Sequence, residues 1–208
     1  MTAVIIIIVI AMVFIATGYW WRYRSLVCPA SFTWLLDNPY MNAVAGAKII
    51  IQRLHLESGM NVLDVGSGPG RLSLSIAKYI GNTGEVVALD IQSKMLEKLK
   101  LRARAVGVKN IRLIEAGAGE GKTEKDYFDR VLMVTVLGEI PDKHGALIEI
   151  YQALKQGGIL SITEVIPDPH YTSQKRVRAL CREIGFKETE EFGSWVAFTV
   201  NFMKPVSA

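Results

Sequence analysis

The chain has 208 residues, half of them apolar, with 24 Lys and Arg against 20 Asp and Glu for a formal charge of +4, which is enough for one domain and an appendage. The basic residues are scattered through 94–112 and 175–187 among apolar and acidic neighbours, so the dense basic stripe of a nucleic-acid binder is excluded. Two cysteines, Cys28 and Cys181, form no CxxC pattern, which argues against a disulfide scaffold or a metal site and for free thiols in a reducing compartment.

The apolar excess is concentrated in residues 2–21, TAVIIIIVIAMVFIATGYWW, which hold no charged side chain. As a helix this run spans about 30 Å, the thickness of a bilayer's hydrocarbon core. Tyr19, Trp20 and Trp21 suit a headgroup interface, and Arg22 and Arg24 follow at once. A cleaved signal peptide wants a basic stretch ahead of the apolar run, and a helix lying flat wants a polar face; this run has neither. Residues 1–24 are therefore expected to be a single-pass membrane anchor with its basic flank. The positive-inside rule then puts the rest of the chain in the cytoplasm, with the lipid bilayer as a partner. Residues 25–40 are expected to be a linker, whose stretch SFTWLL at 31–36 is either an interfacial helix or a lid packed on the domain. Residues 41–208 are expected to form the globular domain.

Within that domain helix-like and strand-like segments alternate, the pattern of a parallel sheet covered by helices on both faces. A helix is expected over 41–54, a buried strand over 61–65, then a glycine-rich turn and a helix running to Ile80. A turn at 81–84 leads to a strand over 85–90 and a helix over 93–106 with Ser93 as its N-cap. Strands follow at 111–115, 129–135 and 159–164, the last two separated by a helix over 142–154 and a turn at Gly157-Gly158. A helix near 172–184 precedes an antiparallel hairpin of 186–191 and 195–203 that turns at Gly193-Ser194. Val196, Phe198, Val200 and Phe202 share one face of its second strand.

The most informative stretch is Val62-Leu63-Asp64-Val65-Gly66-Ser67-Gly68-Pro69-Gly70. A strand ends, three alternating glycines follow, and a helix begins; glycines permit the tight turn and let a ligand approach the backbone. A dinucleotide fingerprint, GxGxxG, would put its third glycine where Arg71 stands, so a nicotinamide-dependent reductase is disfavoured. A ligand without a pyrophosphate needs less cradling of anionic charge, and Asp64 suits the ammonium of an aminoacyl group. Asp90, at the end of the second strand, suits a pair of ribose hydroxyls.

These features resemble the class I S-adenosylmethionine-dependent methyltransferases over about residues 41–203. Residues 63–70 match that superfamily's first motif, Asp90 its ribose-binding acid, and LKQGG at 154–158 the turn before its fifth strand. The sequence is similar, within the superfamily, to the group of ubiquinone/menaquinone C-methyltransferases and bacterial phospholipid N-methyltransferases. The resemblance implies a Rossmann-like, seven-stranded, mostly parallel sheet with an antiparallel last strand, and S-adenosylmethionine as cofactor. It implies cofactor contacts from Asp64, Gly66, Ser67, Gly68, Gly70, Asp90, Ile91 and Met95, the last either stacked near adenine or plain core. The sequence departs from the pattern after the third strand. Many relatives have an acid there for the adenine amino group, but Gly117 occupies its place in IEAGAGE; either Ala118 and its backbone do this work or Glu120 reaches back.

The cofactor carries the reactive methyl, so the protein must mainly align an acceptor. Acceptor-side residues are expected in the loops after the fourth and fifth strands. Glu139, a lone acid in an apolar loop, is the first candidate to take a proton or face a developing ammonium, followed by His170 and Tyr171. Glu164 is expected to be structural. An anchored enzyme suits an acceptor that resides in the bilayer: a phospholipid amine first, with quinone C-methylation and thiol S-methylation behind it. The competing class is a membrane-bound protein that keeps the fold and binds the cofactor without catalysis.

Overall fold

The computed structural model describes residues 38–206; the anticipated anchor and most of the linker lie outside them. Among the described residues no helix is long and apolar enough to cross a membrane. The elements are α1 (Pro39–Ala45), α2 (Ala47–Arg53), β1 (Asn61–Val65), α3 (Ser73–Ile80), β2 (Glu85–Asp90), α4 (Ser93–Ala105) and β3 (Ile111–Glu115). They continue with β4 (Phe128–Val134), α5 (Lys143–Ala153), β5 (Leu154–Val165), α6 (Gln174–Ile184), β6 (Lys187–Gly193) and β7 (Ala197–Met203).

The seven strands make one sheet in the order β3-β2-β1-β4-β5-β7-β6. From β3 across to β5 the pairings are parallel, whereas β7 is antiparallel to both of its neighbours. The expected hairpin therefore has its second strand inside, against β5, and its first strand outermost. The sequence of β6, KETEEFG, explains this: its charges sit on an exposed edge and discourage pairing with another chain. Phe198, Val200 and Phe202 of β7 are buried instead, and truncating any such phenylalanine to Ala costs about 3–5 kcal/mol.

The inner strands are buried on both faces, which is why they read as unbroken apolar runs. On one face Leu63, Val87, Met133, Leu160 and Ile162 pack with Leu147 and Ile150 of α5 and Val177 and Leu180 of α6. On the other Val62, Val86 and Leu132 pack with Ile50 of α2 and Ile76 and Ile80 of α3. The sheet order reverses between β1 and β4, and the carboxyl ends of those strands frame the crevice in which ligands of such sheets collect.

Several boundaries differ from expectation. The single helix anticipated over 41–54 is broken at Gly46, whose extended backbone (φ −73°, ψ 162°) ends α1 and starts α2. A side chain there would overlap the Asn42 carbonyl, so the break depends on glycine. Ser93 is the first residue of α4 rather than its cap; Gln92 holds that position without a side-chain bond. The LKQGG segment is part of a long β5 that starts at Leu154, with a pairing irregularity between Phe128 and Arg130 opposite it. Ser173 caps α6 by accepting from the Arg176 N–H, as side-chain oxygens at helix starts do. Residues 116–127, between β3 and β4, contain no helix. They are held by Glu149 of α5, which accepts from the Gly119 N–H at 2.5 Å and from the Thr123 N–H and hydroxyl at 3.0 and 2.9 Å.

Candidate active site

The glycine loop leaves β1 and is tied down by its neighbours. Gly66 and Ser67 donate their N–H groups to the Leu89 carbonyl at 2.8 and 3.1 Å, and Gly70 donates to Ser67 at 3.1 Å. Arg102 of α4 donates to the Pro69 carbonyl at 3.0 Å, and Arg71 to the Ala45 carbonyl at 2.9 Å. Each of the three glycines has a positive φ, and their surroundings differ. At Gly66 a side chain would overlap Val136, and at Gly70 it would overlap Leu99. At Gly68 it would meet nothing within 4 Å. Two glycines thus serve close packing and the third faces open space. Beside it the Ser67 hydroxyl is buried with no hydrogen-bond partner among the described residues, an arrangement that costs free energy unless a ligand or water completes it.

Asp90 ends β2 at 5% exposure. Its Oδ2 accepts from the Gly68 N–H and its Oδ1 from the Gln92 N–H, both at 2.8 Å. Burial pushes this carboxyl up, and the two N–H groups pull it back. Each oxygen keeps a lone pair for a further donor, such as a ligand hydroxyl. Ile91 follows with a 56% exposed side chain at the rim, an apolar surface suited to the face of an aromatic base. Met95, in the first turn of α4, is buried.

Asp64 lies 3% exposed on the α3 side of β1. Its Oδ2 accepts a 2.5 Å hydrogen bond from the Ser73 hydroxyl at the start of α3. Burial raises it to about 6, against the lowering pull of Ser73 and Arg71, while Asp90 adds repulsion. The carboxylate thus joins the strand to the helix that follows it.

After β3, Gly117 begins a turn closed by the Glu120 N–H on its carbonyl at 3.2 Å. A side chain built on Gly117 would lie 2.7 Å from Glu120 Oε1. Glu120 therefore reaches back to the place left open by glycine, one of the two alternatives weighed from sequence, while Ala118 packs on the core.

The other wall consists of the loops after β4 and β5. Thr135 opens the first in a left-handed conformation, φ 55°, unfavourable for a β-branched residue and typical of functional loops. Its N–H donates to the Thr163 carbonyl at 2.8 Å. Val136 comes next, against Gly66, and Gly138 lies so close to His170 that any side chain on it would overlap the His170 carbonyl. Glu139, next in this loop, is half-buried. In the second loop the His170 N–H donates to Asp168 Oδ1 at 2.6 Å, and the Tyr171 hydroxyl donates to the Trp195 carbonyl at 2.6 Å. Val136 and Gly138 thus link the glycine loop to the loop carrying His170 and Tyr171.

Comparison with known proteins identifies the family. Residues 56–198 match the family model described as a methyltransferase domain. The chain belongs to that methyltransferase family. It is 32% identical over 111 residues to a demethylmenaquinone methyltransferase of Oceanobacillus iheyensis, covering 53% of this chain and 47% of that one. It is 36% identical over 110 residues to a ubiquinone/menaquinone biosynthesis C-methyltransferase of Haemophilus ducreyi, covering 52% and 42%. The chain thus spans about half the length of the curated relatives it matches. A crystal structure of an S-adenosylmethionine-dependent methyltransferase from Aquifex aeolicus superposes with a TM-score of 0.78 at 22% identity, over 85% of this chain and 99% of that chain. The fold of this chain is that of an S-adenosylmethionine-dependent methyltransferase domain.

Sequence reasoning missed several members of this methyltransferase site. Arg102 and Ser73 looked like ordinary helix residues, and Arg71 served only as an argument against a dinucleotide. Val136 gave no signal, because its role depends on the neighbouring glycine having no side chain. Glu164 was read from the sequence only as structural, near the end of the fifth strand.

Proposed function

We propose that this methyltransferase places a methyl group on a ring carbon of a quinol-type acceptor, and that residues 1–24 keep it at the membrane in which such acceptors dissolve. The similarity to proteins named for menaquinone and ubiquinone C-methylation carries the acceptor assignment. It favours the quinone over the phospholipid amine that the sequence put first.

The residues around Gly68 fit S-adenosylmethionine. Open space lies over the Gly68 Cα, an unsatisfied Ser67 hydroxyl stands beside it, and the buried Asp90 carboxylate is next to both. In this reading Asp90 holds the ribose hydroxyls, Ile91 covers the adenine face and Glu120 meets the adenine amino group. When bound, the cofactor supplies an electrophilic methyl on a sulfonium. The chain's part is to align the acceptor carbon with it, in line with the bond that breaks, and to take up the proton that the ring carbon loses. Glu139 is the group in place to take that proton, with His170 and Tyr171 shaping the acceptor's side of the cleft.

The test is incubation of the purified full chain with methyl-labelled S-adenosylmethionine, total membrane lipid and a demethylated quinol, followed by separation of the products. Label in the quinone fraction is expected. Label confined to aminophospholipid, or to a small thiol, would replace this acceptor with another.

A further inference from the structure

Glu164, one residue from the end of β5, is 1% exposed, the most deeply buried carboxyl among the described residues. Its Oε2 accepts from the Thr172 N–H at 3.2 Å, and its Oε1 has no hydrogen-bond partner. The charged groups around it come from three elements. Asp168, in its own following loop, and Glu139, from the loop after β4, repel a charge on it, and Lys143 of α5 attracts one. The Lys143 ammonium is already engaged with the Gly138 and Ile140 carbonyls at 3.3 and 2.6 Å. Tyr171 also feels the charge state of Glu164, and His170 is buried in the same loop. From β7 the residue opposite in register is the uncharged Phe198.

Burial is the main cause that pushes this carboxyl up to about 8, well above the ordinary glutamate range. At neutral pH the group is then a neutral acid that joins the end of β5 to the Thr172 amide eight residues on, and so grips the loop between them. That loop, residues 166–172, is otherwise held by the Ile166 N–H on Val196 at 2.8 Å, the Asp168 N–H on Val165 at 3.0 Å and the Tyr171 hydroxyl on Trp195. An apolar residue would fill the same space without the desolvation cost of a carboxyl, but it would leave the buried Thr172 N–H without this acceptor.

We propose that Glu164 is a positioning residue for methyl transfer, pinning residues 166–172, and with them His170 and Tyr171, against the loop after β4 for as long as its carboxyl carries a proton. Loss of the proton strengthens the Thr172 N–H bond, but it also puts a further negative charge beside Glu139 and Asp168 in a site shielded from water; the cost of burying that charge is the larger effect, and the loop opens to hydrate it. The inference rests on the reading of this loop as the acceptor wall.

The test uses the full chain and two readouts. Hydrogen exchange, corrected for intrinsic rates, reports the loop without any acceptor. In the wild type, protection of residues 166–172 is expected to fall about tenfold between pH 7 and pH 9, as the protonated fraction falls. In Glu164→Gln, whose amide offers the same oxygen but does not titrate, it is expected to stay level. With a demethylated quinol, the wild-type acceptor KM is expected to rise about tenfold over the same interval with the S-adenosylmethionine KM unmoved, and the rise to vanish in the variant. Protection that is level in the wild type, or that falls equally in the variant, overturns the proposal. Should the variant not fold, the wild-type exchange profile decides by itself. A wild type whose loop loosens near pH 8 but which methylates no quinol sinks the acceptor assignment and leaves the role of Glu164 standing.

Discussion

One methyl group added at Gly68 and, separately, at Gly66 should divide cofactor binding from folding. Both positions have a left-handed backbone, φ 54° and 68°, which costs an alanine about 1–2 kcal/mol. At Gly68 nothing lies within 4 Å of the new carbon, so that is the whole cost to the fold. At Gly66 the new carbon would overlap the Val136 side chain and lie 2.9 Å from its Cγ1. Overpacking of this kind adds about 1–3 kcal/mol, for a total of roughly 2–5 kcal/mol. In a domain of this size each kcal/mol lowers the Tm by about 2–4 °C. Gly68→Ala should therefore melt only a few degrees early, and Gly66→Ala about 4–20 °C early. Cofactor affinity should show the reverse emphasis. The Gly68 methyl occupies the space assigned to the nucleoside, and a loss of at least about 1.4 kcal/mol, tenfold in Kd, is expected. Thermal melting and calorimetric titration with S-adenosylmethionine measure the two quantities on the same samples. Wild-type affinity in Gly68→Ala would show that the cofactor does not lie over this glycine, and a wild-type Tm in Gly66→Ala would refute the packing against Val136.

Three further outcomes are expected. Asp90→Ala frees the Gly68 and Gln92 N–H groups and removes the carboxylate assigned to the ribose, so calorimetry should find S-adenosylmethionine binding weakened by about 2–3 kcal/mol; unchanged affinity would remove Asp90 from the cofactor site. Glu139→Ala should lower kcat by about 10²-fold with the cofactor Kd nearly intact, and equal loss of cofactor affinity in this variant and Asp90→Ala would refute the division of labour. Glu164 makes stability pH-dependent. Its folded value, about 8, lies above the ordinary 4.5, so the folded state holds the proton more tightly, and the stabilisation present below pH 4.5 is lost as pH rises through about 8. Asp64, raised to about 6, acts in the same direction but is spent by then. Denaturant titrations from pH 6 to 8 should therefore show stability falling by roughly 1 kcal/mol per pH unit, and Glu164→Gln should remove most of that slope; a slope that persists in the variant assigns it elsewhere.

The strands over 61–65, 85–90 and 111–115 were legible to the residue, because each is a short apolar run closed by a glycine turn or an acid. The glycine loop and Asp90 were legible for a related reason: their spacing is short and their chemistry local. The break in the first helix was not, since Gly46 sits in a run whose periodicity alone favours a continuous helix. Nor was the length of β5, because Gly157 and Gly158 look like a turn until β4 is seen alongside. Among the site residues, the hydrogen bond from Ser73 to Asp64 was not legible, because it depends on how α3 packs beside β1. That Glu120 folds back beside Gly117 depended on the turn there, which three-residue spacing leaves open.

Features set by neighbours along the chain, such as strand cores, turn chemistry and the presence of a glycine-rich loop, are written in residue order, because backbone sterics and side-chain period act over a few positions. Features set by neighbours in space are not. The approach of Val136 to Gly66, the reach of Arg102 to Pro69 and the burial of Glu164 beside Glu139 and Lys143 join residues 21 to 70 positions apart. Desolvation and close packing depend on those juxtapositions, so the charge states and the open space of the site emerge only when the sheet assembles.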